Sequence, residues 1–251
     1  MSATATPARA PSASARHTGV AVAIDDLQFA WRGGAPLLDI ESLAIARGER
    51  VFLQGASGSG KSTLLSLLAG VLLPQRGSIR VLDNEITALR AAQRDRFRAD
   101  HVGFVFQMFN LLPFLSVREN ILLACRFSAW RRRHALAYGT LEAEADRLLV
   151  ALDLDPAQIG TKAVAELSIG QQQRVAAARA LIGAPELLIA DEPTSALDSD
   201  ARVAFLGLLF AECWRARTTL VFVSHDAALA SLFDRRVRLA DINRAARRRG
   251  A

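Results

Sequence analysis

The sequence predicts an α/β fold: a mostly parallel sheet covered by helices on both faces, an antiparallel β portion at its N-terminal end, and an inserted helical subdomain. Three observations carry this. Short runs of Val, Leu, Ile and Phe alternate with helix-length segments, the pattern of buried parallel strands joined by helical crossovers. One apolar run passes straight into a glycine-rich turn and then a helix. Between Met108 and about Ala165 the strand pattern gives way to helical segments joined by polar and arginine-rich stretches.

In chain order, residues 20–24 and 27–31 show strand-like alternation, and Gly33-Gly34 marks a turn before a further alternating stretch at 37–46. Residues 50–54 form a strand leading into Gly55, and 61–69 a helix. A short strand at 78–82, a helix at 87–98 and a strand at 101–107 ending on Gln107 complete the first part of the core. The inserted part carries helices at 117–127 and 141–152. The core resumes with a helix at 170–182, a buried strand at 187–190, a helix at 199–215, a strand at 219–223, a short helix from Asp226 and a last strand at 236–239. The expected organisation is an extension over 1–18, a domain over 19–240 (core 19–107 and 166–240, helical part about 108–165), and a basic tail over 241–251. No internal repeat is visible.

Composition narrows the function. The 251 residues suffice for a large buried core. No apolar run approaches the ~18 to 20 residues that cross a bilayer, so a soluble chain, or one held at a membrane by a partner, is expected. The formal net charge is +6, but arginines concentrate in Arg131-Arg132-Arg133 and in Arg244, Arg247, Arg248 and Arg249. Such runs are read as solvated faces, and no direct nucleic-acid partner is expected. Residues 1–18 lack the apolar stretch of about 7 to 15 residues found in a secretory signal and read as a disordered extension, with an organelle transit peptide as the alternative. Cys125 and Cys213 have no metal or redox spacing and read as reduced thiols.

Lys61 and Lys162 are the only lysines among 31 basic residues. Lys61 lies in the strongest motif, Gly55-Ala56-Ser57-Gly58-Ser59-Gly60-Lys61-Ser62-Thr63. Its glycines let backbone amides wrap phosphate oxygens, and the helix that follows adds its positive end. A compact ammonium at Lys61 suits the β- and γ-phosphates better than a guanidinium fork, and Ser62 suits Mg²⁺. The run 187–190 is a buried strand ending in Asp191 and Glu192; strand alternation would send the two acids in different directions and permit two roles. Gln107 offers a neutral amide able to touch both a metal and a water. Ser224, His225 and Asp226 are consecutive, so they cannot form a hydrolase triad.

Leu167-Ser168-Ile169-Gly170-Gln171, followed by Leu187 to Thr194, resembles the ATP-binding cassette of ABC transporters; Ile169 stands where that family usually has a glycine. The resemblance implies a phosphate-loop nucleoside triphosphatase core of the RecA-like type, with ATP and Mg²⁺ as cofactors. It implies that Asp191 orders the Mg²⁺ sphere together with Ser62 and Gln107, that Glu192 is the general base, and that His225 hydrogen-bonds the γ-phosphate. It implies an aromatic on the adenine, Trp31 or its rival Phe29. It places Ser168, Gly170 and Gln171 against the ATP of a second copy, and Asp198 of Ser195-Ala196-Leu197-Asp198 across the dimer interface. Ile169 would then tune dimer closure.

Two classes of function remain. In the first, the chain drives an integral membrane permease from the cytoplasmic side of the inner membrane. The segment 109–121 supports this, resembling the subunits of lipoprotein-release and macrolide-export complexes, with apolar residues suited to receive a permease helix. The second is a non-transport ATPase of the same superfamily acting on nucleic acid or the ribosome. Such proteins carry long coiled-coil inserts or paired cassettes, and the sequence has neither.

Overall fold

The computed structural model describes residues 19–137 and 139–245. Strands β1 (Val20–Phe29), β2 (Leu38–Ala46), β4 (Arg76–Val81) and β5 (Asn84–Glu85) form an antiparallel sheet in the order β2-β1-β4-β5. Strands β3 (Arg50–Gln54), β6 (Val102–Val105), β7 (Leu187–Asp191), β8 (Thr219–Val223) and β9 (Arg235–Arg238) form a second sheet, order β6-β7-β8-β3-β9, with every pairing parallel. The N-terminal antiparallel portion and the parallel core are therefore both present.

Alternation along the parallel strands sorts their side chains into two apolar layers. Phe52, Leu188, Ala190, Leu220 and Phe222 face one way. There they meet α3 (Val117–Phe127), α5 (Leu141–Ala151), α7 (Ile169–Leu181) and α8 (Ser199–Ala216). Val51, Leu53, Leu187, Ile189, Val221 and Val223 face the other way, against α1 (Lys61–Leu68), α2 (Ala91–His101) and the antiparallel sheet. Both faces of the strands are covered, which is why they read as continuous apolar runs.

Several local expectations shift. The two N-terminal strand segments are one strand, kinked where Asp26 takes φ 47° and the pairing register slips. Gln107 does not end a strand; β6 stops at Val105 and Gln107 sits in the exposed turn beyond it. The helix expected at 87–98 opens as a single 3₁₀ turn at Ile86–Ala88, and α2 itself starts at Ala91. Between β6 and α7 lie α3, α4 (Ala129–Leu136), α5 and α6 (Pro156–Ile159). Past residue 240, α9 (Leu239–Ile242) runs on to Asn243, which is buried, accepts from the Asp39 amide and donates to the Leu37 carbonyl. Arg244 pairs with Glu41. The extension 1–18 and Arg247, Arg248 and Arg249 lie outside the described residues.

The arginine run requires a correction. Arg132 and Arg133 are exposed, but Arg131 is 2% exposed inside α4. Its Nη1 donates to the carbonyls of Ala180 (3.0 Å) and Ile182 (3.3 Å), closing the C-terminal end of α7, whose last carbonyls have no helical partner. Burial pushes the guanidinium pKa down to about 10. Gly183, at φ 72°, allows the approach, since a Cβ there would sit 2.6 Å from Arg131. Arg131→Ala should lower the unfolding free energy by about 2 to 4 kcal/mol, because two buried carbonyls lose a charged donor and a cavity opens. Urea denaturation checks this; a loss under about 0.5 kcal/mol would remove Arg131 as a stabilising cap of α7.

Candidate active site

The turns after β3, β7, β8 and β6 all leave the same, C-terminal edge of the parallel sheet, where ligands of open α/β folds bind. Those turns carry the phosphate loop, Asp191 and Glu192, His225, and Gln107 respectively.

The phosphate loop is shaped by its glycines. Gly58 (φ 72°) and Gly60 (φ 101°) are left-handed, and a Cβ on Gly60 would lie 2.9 Å from Leu38. Gly60 caps α1, which begins at Lys61. Lys61 Nζ donates back to the carbonyls of Gly55 (2.8 Å) and Ala56 (3.0 Å), so the ammonium already lies along the loop. The Ser59 hydroxyl is buried without a hydrogen-bond partner. An unpaired buried hydroxyl in a glycine-rich turn at the start of a helix is a cradle suited to an anion such as a phosphate.

The Ser62 hydroxyl lies near the Asp191 carboxylate and favours its charged form. Burial raises the pKa of Asp191 above the usual carboxylate value, while Ser62 and Lys61 oppose the shift. No group of three or more His, Cys, Asp or Glu side chains forms a metal site among the described residues. Mg²⁺ needs no such cage: it takes one or two protein oxygens and completes its shell with phosphate and water, and a neighbouring hydroxyl and carboxylate fit that donor set.

Glu192 points where it does for a reason that alternation did not supply. It lies one residue past β7 in a left-handed conformation, φ 45°, with its amide donating to the Val223 carbonyl at 3.0 Å. Such a conformation costs roughly 1 to 2 kcal/mol in a non-glycine residue and is typical of functional turns. The turn carries the carboxylate to His225, whose Nδ1 lies 2.6 Å from Glu192 Oε2. An ionised carboxylate only accepts, so Nδ1–H donates and Nε2 is the free edge of a ring that is 68% exposed.

Ser168 is the N-cap of α7. It accepts from the Gln171 amide, and Gln171 Oε1 accepts from the Ser168 amide, a reciprocal capping box. Ile169 opens the helix with its side chain 57% exposed. A Cβ on Gly170 would meet only Leu197, at 3.7 Å, so nothing inside the chain demands a glycine there. Among the described residues, no hydrogen bond or ion pair ties Ser168, Gly170 or Gln171 to the phosphate loop, or Gln107 to Ser62 or Asp191. Asp198 caps α8 by accepting from the Ala201 amide. Trp31 lies beyond the end of β1 and is 55% exposed, with Phe29 buried edge-on beneath it at 5.2 Å.

Sequence reasoning missed two residues that shape the segment after Gln107. Arg179 of α7 donates to the carbonyls of Phe109 and Asn110, both at 2.6 Å, holding two successive left-handed residues (φ 58° and 50°). Asn120, fully buried in α3, accepts from the Leu112 amide and donates to the carbonyls of Leu112, Leu115 and Ser116. An asparagine on the apolar face of a helix was the available signal for the second; nothing local marks the first.

This sheet edge, with a phosphate loop, a hydroxyl–carboxylate pair and a carboxylate–imidazole pair, defines a phosphate-loop nucleoside triphosphatase. Residues 38–195 match the ABC transporter family, and the chain belongs to it as an ATP-binding, ATP-hydrolysing component. It is 38% identical over 223 residues to the lipoprotein-releasing system ATP-binding protein LolD of Syntrophotalea carbinolica, covering 88% of this chain and 95% of that protein. It is 44% identical over 199 residues to the macrolide export ATP-binding/permease protein MacB 1 of Aeromonas hydrophila subsp. hydrophila, covering 79% of this chain but 29% of that longer protein. Its fold is similar to the ATP-binding cassette MJ0796, solved as a dimer in a post-hydrolysis state bound to ADP and Pi (TM-score 0.73, 32% identity, 86% of this chain and 93% of that one).

Proposed function

We propose that two copies of this chain close head to tail around two ATP molecules, and that hydrolysis reopens them to move an integral membrane permease at the cytoplasmic side of the inner membrane. The split site is the observation that carries this reading. One sheet edge holds the phosphate loop, Asp191, Glu192 and His225, while the capped start of α7 is exposed and untied to that loop. A helix N-terminus with an unobstructed glycine suits the γ-phosphate of ATP on the other copy, where transition-state charge gathers.

In this assignment Gly55 to Thr63 cradle the phosphates and Lys61 leaves the Gly55 and Ala56 carbonyls for the β- and γ-oxygens. Ser62, Asp191 and Gln107 hold Mg²⁺, which when bound neutralises phosphate charge. Glu192 takes the proton of the attacking water. His225 steadies Glu192 through Nδ1–H, and a second proton on its exposed Nε2 would let that edge donate to the γ-phosphate. Trp31 stacks on adenine, its exposed ring backed by Phe29. Ser168, Gly170 and Gln171 complete the site of the other copy, and Asp198 stands at the interface between them.

The permease contact falls on the segment that Asn120 and Arg179 hold in shape. It displays Met108 (81% exposed) and Phe114 (76% exposed). Phe114→Asp should abolish co-purification with a co-expressed multi-span membrane partner and leave ATP affinity within about two-fold, since an ion placed in an apolar interface core costs several kcal/mol. Undiminished co-purification of this variant would remove the segment from the interface.

A further inference from the structure

Arg202 lies one helical turn beyond Asp198, at the start of α8, and its side chain spans two loops far apart in sequence. Nε donates to the Leu197 carbonyl at 2.8 Å, and Nη1 donates to Asp226 Oδ2 at 2.8 Å. Leu197 precedes Asp198 in the loop assigned to the dimer interface. Asp226 follows His225.

The second loop is held on both sides of the histidine. Asp226 Oδ1 accepts from the Ala228 amide, and the Asp226 amide donates to the Ser224 hydroxyl, which is itself buried. His225, between these two residues, reaches Glu192. At its other end, the Leu197 side chain is the neighbour that a Cβ on Gly170 would touch. One guanidinium thus joins the loop beside the start of α7 to the loop that sets the imidazole.

We propose that Arg202 is a positioning residue: it makes loops 195–198 and 224–226 move as one body, so that His225 keeps its place against Glu192 when the second copy engages the first loop. This rests on the reading of Glu192 and His225 as the hydrolytic pair. The ion pair is about a quarter exposed (26% and 28%), so its worth as a salt bridge is small. Its value is geometric. A rigid planar fork that satisfies a carbonyl and a carboxylate together fixes both in one plane, which a single rotating ammonium does not do. Displacing a catalytic group by about 1 Å costs on the order of 100-fold in rate, so a modest loosening of the histidine loop is enough to be measured.

The experiment is steady-state ATP turnover by the whole chain as Arg202→Met, Asp226→Asn, the double variant and Arg202→Lys, with His225→Ala as reference. Arg202→Met and Asp226→Asn should each lower kcat about ten-fold while KM for ATP stays within about two-fold, because the phosphate loop is untouched. The double variant should be no worse than the poorer single one, since both remove the same link, and Arg202→Lys should recover part of the rate. If His225→Ala is inactive while Arg202→Met and Asp226→Asn turn over within about two-fold of the parent, the inference is overturned and the catalytic reading stands. Additive losses in the double variant also overturn it. If His225→Ala keeps full turnover, the catalytic reading fails and the inference falls with it. Should Arg202→Met not fold, Asp226→Asn and Arg202→Lys decide the matter by the same criteria.

Discussion

Glu192→Gln is expected to bind ATP normally and to lower kcat by about 100-fold or more, the usual contribution of a positioned general base. Glutamine matches glutamate in size and still accepts the His225 Nδ1–H through its amide oxygen, so the turn at φ 45° and the contact to the imidazole persist. Proton uptake alone is lost. Because ATP then stays intact between two copies, the variant should run as a dimer on size-exclusion chromatography with ATP and Mg²⁺, and as a monomer without nucleotide. An ATP-saturated variant that remains monomeric would remove the shared-site arrangement for the isolated chain. Turnover within about ten-fold of the parent would reassign the base.

Lys61→Ala is expected to weaken ATP binding by about 100-fold or more, equivalent to roughly 3 kcal/mol, the order found when one partner of a buried charge pair is truncated. The ammonium now rests on the carbonyls of Gly55 and Ala56, which can be left without a charged donor because both border the loop opening. Stability should therefore change little while affinity collapses, and calorimetric titration with ATP separates the two. Lys61→Arg should also fail to restore full affinity. A planar fork follows the β- and γ-oxygens less well than a compact ammonium on a flexible stem. Near-parental affinity in Lys61→Ala would remove the loop from the phosphate site.

The layering of the core was legible because its cause is local. Alternation in 50–54, 187–191 and 219–223 divides side chains between two faces whatever those faces meet, so the buried parallel strands could be read directly. The phosphate loop was legible for the same reason: glycines at 58 and 60 and a lysine opening a helix are contiguous. Asp198 and Ser168 cap α8 and α7, and both are residue types that favour that position. Arg131 was not legible. Nothing in Arg131-Arg132-Arg133 distinguishes the first arginine from the others; only the packing of α4 against the end of α7 buries it.

The direction of Glu192 separates the two kinds of information. The sequence by itself determined that an apolar strand ends in two acids, that a phosphate loop precedes them, and that Leu167 to Gln171 carries a family resemblance broken at Ile169. Tertiary structure alone decided that Glu192 leaves the strand in a left-handed turn to meet His225, that Gln107 stands clear of the strand end, and that Arg202 bridges two loops. The physical reason is range. Propensity, alternation and capping act over about four residues and are written in neighbouring letters, whereas the hydrogen bonds that aim these side chains join positions 33 residues apart for His225 and Glu192 and 24 apart for Arg202 and Asp226. Those pairs exist only once the strand order β6-β7-β8-β3-β9 has brought four separate turns to one edge.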